Sequence, residues 1–232
     1  VDEYLQLAEG INDRDLDLEL SIKLTHLGLD LGLERAVDHL EEIAREAPGV
    51  VWVDMEASDY VDATLDVFRT VRERVENVGL CLQAYLHRTV ADYEALLPLR
   101  PHLRLVKGAY LEPPDVAMAR KADVDEAYRR LAIRMLRDRK AGRMGRPGIA
   151  THDARLVREV ERAALELELD RQDWEVEMLY GIATSEQDRL RRSGTPLRVL
   201  ISYGQYWFPW YMRRLAERPA NVGFVLRQML RG

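Results

Sequence analysis

The chain has 232 residues, 47% of them hydrophobic and 32% charged, with a net charge of −6 and a single cysteine. So much apolar sequence supports one large core and predicts a single domain over residues 1–232. The acidic balance argues against a nucleic-acid partner. The lone Cys81 excludes an internal disulfide and fits a reducing compartment, and no apolar run is long enough for a membrane-spanning helix.

Residues 1–11 read as a helix whose preceding strand is missing, and they carry acids where a secretory leader would carry a basic region. Seven short runs rich in Val, Ile and Leu then follow, at 18–25, 50–56, 78–85, 103–110, 147–153, 174–180 and 198–203. Their composition is that of strands covered on both faces. Helical patterns lie between them. Segment 33–45 sets Leu33, Ala36, Val37, Leu40 and Ile43 on one face, and 62–75 does so with Leu65, Phe68, Val71 and Val75. After Glu112-Pro113-Pro114 comes a charged amphipathic helix near 124–139, and 156–167 aligns Leu156, Val160, Ala163, Ala164 and Leu167. Strand and helix in alternation predict βα units and a parallel sheet. Eight such units close a barrel of roughly 250 residues. The expected fold is therefore α/β, a distorted (β/α)8 barrel of the TIM type, with the first strand absent from this chain. Native sequence upstream is expected to supply that eighth strand, since open strand edges are what barrel closure removes.

Side chains alternate along a strand. Ser21, Lys23 and Thr25 therefore share a face, as do Asp54 and Glu56, then Cys81, Gln83 and Tyr85, then Glu175, Glu177 and Leu179. The polar residues gather toward the C-terminal strand ends, where barrels of this kind hold their active sites. Isolated buried charges cost several kcal/mol, so Lys23, Asp54, Glu56, Arg104 and Lys107 read as one constellation. A structural ion-pair network at the rim is the alternative.

The motifs Ser21-Ile-Lys-Leu-Thr25, Val53-Asp-Met-Glu56, Gln83-Ala-Tyr-Leu-His-Arg88 and Arg104-Leu-Val-Lys-Gly-Ala-Tyr110 occur in this order. Ala150-Thr-His-Asp153, Glu177-Met-Leu-Tyr-Gly181 and Arg213-Arg-Leu-Ala-Glu-Arg-Pro-Ala-Asn221 complete the series. Together they cover nearly the whole chain and resemble the proline dehydrogenase family, most closely its monofunctional bacterial type. The resemblance implies a distorted barrel with non-covalent FAD. It also implies oxidation of L-proline to pyrroline-5-carboxylate, by hydride transfer to the flavin N5, with electrons passed to a membrane quinone. It further implies a cytoplasmic protein with peripheral contact at the inner membrane, and a pyrroline-5-carboxylate dehydrogenase as partner.

By the same resemblance Gln83, Arg104, Lys107, Gly108, Ala109, Thr151 and His152 hold the flavin. Lys23 and Asp54 control the proton on the substrate amine, and Lys23 also lies near the substrate. Arg213 and Arg214 clamp the proline carboxylate, a task an arginine fork suits. Glu217 orients the amine, and Leu179, Leu200 and Trp210 line the proline pocket. Each residue has a plainer reading beside this one. Arg213 and Glu217 are spaced as a solvated i,i+4 pair, Asp153 has the position of a helix N-cap with His152 its neighbour, Gln83 resembles an ordinary buried amide, and Leu179 a core leucine. Two positions depart from the family: Leu200 and Trp210 stand where tyrosines are usual, which puts substrate fit in doubt. The competing readings are a related flavoprotein with altered substrate preference, and a non-catalytic or incomplete barrel that only binds ligand. Nothing in the sequence has the spacing of a zinc site, His87 and His102 being isolated, and no glycine-rich nucleotide loop is present.

Overall fold

A computed structural model describes residues 1–202. It begins with helix α1 (Asp2–Asn12) and strand β1 (Leu20–Ile22), followed by α2 (Leu33–Glu46), β2 (Val51–Val53), α3 (Val61–Arg72) and β3 (Val78–Gln83). Next come α4 (Thr89–Leu96), β4 (His102–Val106), α5 (Lys121–Lys140), β5 (Pro147–Ala150), α6 (Ala154–Glu166), β6 (Glu175–Leu179), α7 (Thr184–Ser193) and β7 (Leu197–Leu200). All seven strands predicted from the apolar runs are present, each shorter than its run.

The shortening has local causes. Past Lys23 the chain leaves the extended conformation for a 3-10 turn, Leu24–Leu27, so Thr25 lies outside the strand in which it was expected. Strand β4 stops before Gly108, whose φ of +117° carries its backbone across the ring of Tyr85, where no side chain fits. The 147–153 run ends early because Asp153 turns to cap α6, its carboxylate accepting from Arg155 N at 3.1 Å. Residue 203 of the last run lies outside the described residues.

The helices bury the faces their periodicity indicates. On α2 these are Ala36, Val37, Leu40, Ile43 and Ala44, whereas Leu33, at the first helical position, is exposed. Helix α3 buries Leu65, Phe68 and Val71 and ends before Val75; α6 buries Leu156, Val157, Val160, Ala163 and Ala164.

The strands form one parallel sheet in sequence order, β1 to β7, each hydrogen-bonded to the next. Laid flat, its six inter-strand steps of about 4.8 Å would set β1 and β7 roughly 29 Å apart. Yet Arg198 on β7 reaches Asp17 and Glu19, just ahead of β1, at 3.4 Å. From the middle of the sheet, Arg104 on β4 donates to Ser21 Oγ on β1 at 2.9 Å. The sheet is therefore curled, with one face turned into an interior. Among the described residues β1 and β7 remain its edges and do not pair with each other.

Odd and even positions sort accordingly. Ile22, Val53, Leu80, Leu105, Ile149 and Val176 are almost fully buried, a face the helices cover. The inward face carries Ser21, Trp52, Cys81, Arg104, Glu175, Glu177 and Arg198. At the N-terminal end of the barrel, Glu19 accepts from the Trp52 indole at 2.7 Å and pairs with Arg146 and Arg198. Arg146 and Arg198 also hold Glu175, at 3.4 and 3.1 Å. Among the described residues these paired charges occupy the N-terminal end of the interior, and the C-terminal strand ends are where a barrel of this kind holds its ligand site.

Candidate functional site

Four strands aim polar groups at one place. Asp54, just beyond β2, is the junction. Its Oδ1 accepts from Ser21 Oγ at 3.0 Å and Cys81 Sγ at 3.5 Å, and lies 3.7 Å from the Arg104 guanidinium; its Oδ2 lies 3.4 Å from Lys23 Nζ. Side-chain alternation produces this meeting, because Ser21 and Lys23, Trp52 and Asp54, Cys81, and Arg104 all fall on the inward face. Tyr4 of α1 joins them: burial first, then the Asp54 charge, push its phenol up to about 12.

Arg104 is the buried centre. Its guanidinium lies 4.5 Å from the centroid of the Trp52 ring, a cation–π contact that replaces water on that side. Its Nε is in ionic contact with the Glu177 carboxylate, though not aligned as a hydrogen bond. Burial works against the arginine's charge, but Glu177 with Cys81 and Asp54 more than offset it and raise its pKa. Cys81 shifts upward too: burial pushes the thiol to about 12 despite the opposing pull of Arg104, so it stays a thiol.

Gln83 sits beside this cluster at 3% exposure. Its amide nitrogen donates to the carbonyls of Met55 and Glu56, both at 3.2 Å. Its Oε1 is buried and has no hydrogen-bond partner among the described residues. A buried amide oxygen left unpaired costs about 1–3 kcal/mol, so this atom marks a place where a donor from a ligand fits. Glu56 turns its carboxylate to Thr25, taking the hydroxyl at 3.0 Å and the backbone N–H at 3.3 Å.

The constellation expected from the sequence divides in two. Lys107, three residues after Arg104, falls on the opposite face of the strand. Its ammonium pairs with Asp125 of α5 at 2.5 Å and with Asp153 at 3.2 Å, so it ties β4 to α5 and to the start of α6. Gly108 and Ala109 continue the loop above it. Thr151 is buried, and its hydroxyl accepts from Asp153 N at 3.1 Å. His152 does more than neighbour the cap: its Nε2 accepts from Leu179 N at 2.9 Å and so fixes the end of β6.

The expected apolar contacts meet. Leu179 and Leu200 are register partners on β6 and β7. Each is two residues beyond an inward-facing charge, Glu177 and Arg198, so both face inward at the open end. Trp210, Arg213, Arg214 and Glu217 lie outside the described residues.

Ser21, Trp52 and Glu177 were not singled out from sequence. Each carried a signal: Trp52 shares alternation with Asp54, Ser21 with Lys23, and Glu177 is an acid in the middle of an apolar strand. No group of His, Cys, Asp and Glu among the described residues could hold a metal ion, and no helix among them is long and apolar enough to cross a membrane.

Known proteins of similar sequence cover essentially the whole chain. The chain is 40% identical over 240 residues to the proline dehydrogenase of Deinococcus radiodurans, covering 100% of this chain and 76% of that protein. It is 37% identical over 231 residues to proline dehydrogenase 2 of Bacillus subtilis, covering 98% of this chain and 75% of the relative. Among solved structures, proline utilization A from Bdellovibrio bacteriovorus, inactivated by N-propargylglycine, superposes with a TM-score of 0.80 at 23% identity, over 92% of this chain. The chain spans 27% of that larger protein. The family model described as proline dehydrogenase matches residues 1–227, and the chain belongs to the proline dehydrogenase family.

Proposed function

We propose that this chain oxidises L-proline to pyrroline-5-carboxylate with non-covalent FAD as the immediate acceptor and a membrane quinone as the final one. The observation that carries the reading is the buried Gln83 Oε1, unpartnered among the described residues, on the strand next to that of the caged Arg104 guanidinium. That donor set fits a flavin. An acceptor oxygen suits the ring system's single imide N–H, and a desolvated cation suits the negative charge that reduction adds. Bound FAD would supply a two-electron acceptor for hydride from the carbon beside the proline nitrogen.

The chain's own residues supply the rest. Arg104 is held in place by Trp52, Ser21 and Glu177 and presents its charge without reorganisation. Lys23 and Asp54, which pair at 3.4 Å, are assigned the control of the proton on the substrate amine. Leu179 and Leu200 exclude water from the ring side of the pocket. The sequence-based roles of Arg213 and Arg214 on the carboxylate and of Glu217 on the amine complete the substrate contacts. A pyrroline-5-carboxylate dehydrogenase is the partner such a product calls for.

Leu200 favours a second reading, a shifted substrate preference. It faces inward beside Leu179, in the place where the family usually has a tyrosine. The test for both is the visible spectrum of the purified protein, then turnover of L-proline with an artificial electron acceptor. Flavin absorbance with proline-dependent bleaching is expected. No flavin after reconstitution with excess FAD overturns the flavin reading, and bound flavin that ignores proline overturns the substrate.

A further inference from the structure

One buried carboxylate, which helps to hold Arg104, has a further consequence for the charge that Arg104 presents. Glu177 is 8% exposed, and its Oε2 is in ionic contact with Arg104. Its Oε1 has no hydrogen-bond partner among the described residues. The room it occupies exists because Gly148, on the adjacent strand β5, lacks a side chain; a Cβ there would collide with Oε1.

The charged and titratable groups that interact with Glu177 are Arg104 from β4, Glu175 on its own strand, Glu19 ahead of β1, Cys81 from β3 and Tyr128 from α5, while Asp54, just beyond β2, reaches the same guanidinium at 3.7 Å. Glu19 and Glu175 are matched by Arg146 and Arg198 at the barrel floor. Cys81 is held as a neutral thiol. Burial holds the Tyr128 phenol neutral as well; among the described residues two cations, Lys23 and Arg104, then face two anions, Asp54 and Glu177, in one group. Within it Asp54 is shared between both cations, whereas the contacts of Glu177 run to Arg104.

We propose that Glu177 is a positioning residue of the reaction: its carboxylate offsets the Arg104 charge and thereby sets how strongly that guanidinium favours the negative charge of a reduced flavin. The proposal rests on the FAD-dependent reading above. Its carboxyl also titrates in a useful range. Burial raises it to about 7 although Arg104 pulls the other way, and Glu175 and Glu19 raise it further. Arg104 keeps its proton throughout. Below neutrality, then, Glu177 is a neutral acid and Asp54 alone offsets the arginine; above it, both carboxylates do. The flavin midpoint potential falls more steeply with pH across the neutral range than on either side.

The test is dye-coupled spectroscopic titration of the flavin potential from acid to alkaline pH in the native protein loaded with FAD. Three variants accompany it: Glu177→Gln, Gly148→Ala and Arg104→Ala. Expected are a break in the native profile near neutrality, and a profile for Glu177→Gln that lies at more positive potential above the break and has lost the break itself. Gly148→Ala, which displaces the carboxylate but keeps it, moves the potential the same way. Arg104→Ala lowers it, and in that background Glu177→Gln has less effect than in the native protein, because the charge it offsets has gone. A native profile without a break overturns the inference without any variant. So does a Glu177→Gln protein that binds flavin at unchanged potential. A protein that takes up no flavin overturns the underlying reading instead, and the visible spectrum shows this before any titration.

Discussion

The Tyr93 hydroxyl on α4 donates to the Asp138 carboxylate on α5 at 2.5 Å, and both side chains are almost completely buried. Burial, then this hydrogen bond and the charge of Asp138, raise the tyrosine's pKa far above its ordinary value. Arg143 and Arg134 balance the same carboxylate from the solvent side. Tyr93→Phe leaves a buried charge one donor short, and the expected loss of stability is about 1–3 kcal/mol. Urea denaturation measures it. Because α4 and α5 lie outside the strand ends, the flavin spectrum should not change; an unchanged urea midpoint would show that the arginines alone satisfy Asp138.

His102 supplies a pH-dependent contribution to stability. Its Nδ1 accepts from Arg146 N at 3.1 Å, and burial, with help from Arg72 and Arg146, lowers its pKa from 6.5 to about 4. A histidine depressed in the folded state stabilises fully above its unfolded pKa, and the benefit is lost as pH falls through the folded one. The loss should therefore accumulate between about 6.5 and 4, to an order of 3 kcal/mol. Thermal denaturation across this range should show a steeper acid decline for the native protein than for His102→Gln. Parallel curves would remove His102 from the explanation.

Replacing Arg213 or Arg214 with Met tests the carboxylate clamp. Proline binding should weaken by several kcal/mol at most, the scale of a lost charge-assisted partner at a desolvated site, with flavin content unchanged. A shift in apparent affinity of less than about threefold, roughly 0.7 kcal/mol, would mean that the clamp lies elsewhere.

Leu200→Tyr tests the pocket. A leucine beside Leu179 leaves more room than a tyrosine and lacks its hydroxyl; any polar partner of that hydroxyl would be left to water, or unpaired at about 1–3 kcal/mol. The tyrosine variant should use L-proline more efficiently and discriminate more strongly against a ring-hydroxylated proline, as steady-state kinetics with both substrates would show. Equal or poorer kinetics with L-proline count against Leu200 as a pocket residue, unless Trp210 compensates. The double change Leu200→Tyr with Trp210→Tyr separates those cases.

The barrel was legible in the chain because strands covered on both faces must be apolar, and helices between them must carry one apolar stripe. Strand ends were less legible. Thr25 fits the alternation of its run, yet the backbone leaves the sheet after Lys23 for a 3-10 turn. The meeting of Lys23, Asp54 and Arg104 could be read from shared faces. The separation of Lys107, three residues after Arg104, follows from the same alternation, whereas its partner Asp125 sits in a helix whose rotation no local pattern reveals. Trp52 and Glu177 were hidden for a different reason. Trp52 looks like core, and although Glu177 stands on the polar face of its strand, only curling of the sheet turns both onto Arg104.

The contacts of Arg198 with Asp17 and Glu19 join segments at opposite ends of the described chain. Each neighbouring βα unit closes a short loop, whereas this junction requires nearly the whole sheet to be in place, and loop closure becomes harder as the intervening chain lengthens. In time, therefore, the seam belongs after the folding barrier. Substitutions there, such as Glu19→Gln, should hasten unfolding while leaving refolding close to native speed. Among the described residues, β7 is thus joined to the segment ahead of β1 by ion pairs rather than by backbone hydrogen bonds, and the lifetime of those pairs sets how long that seam stays shut.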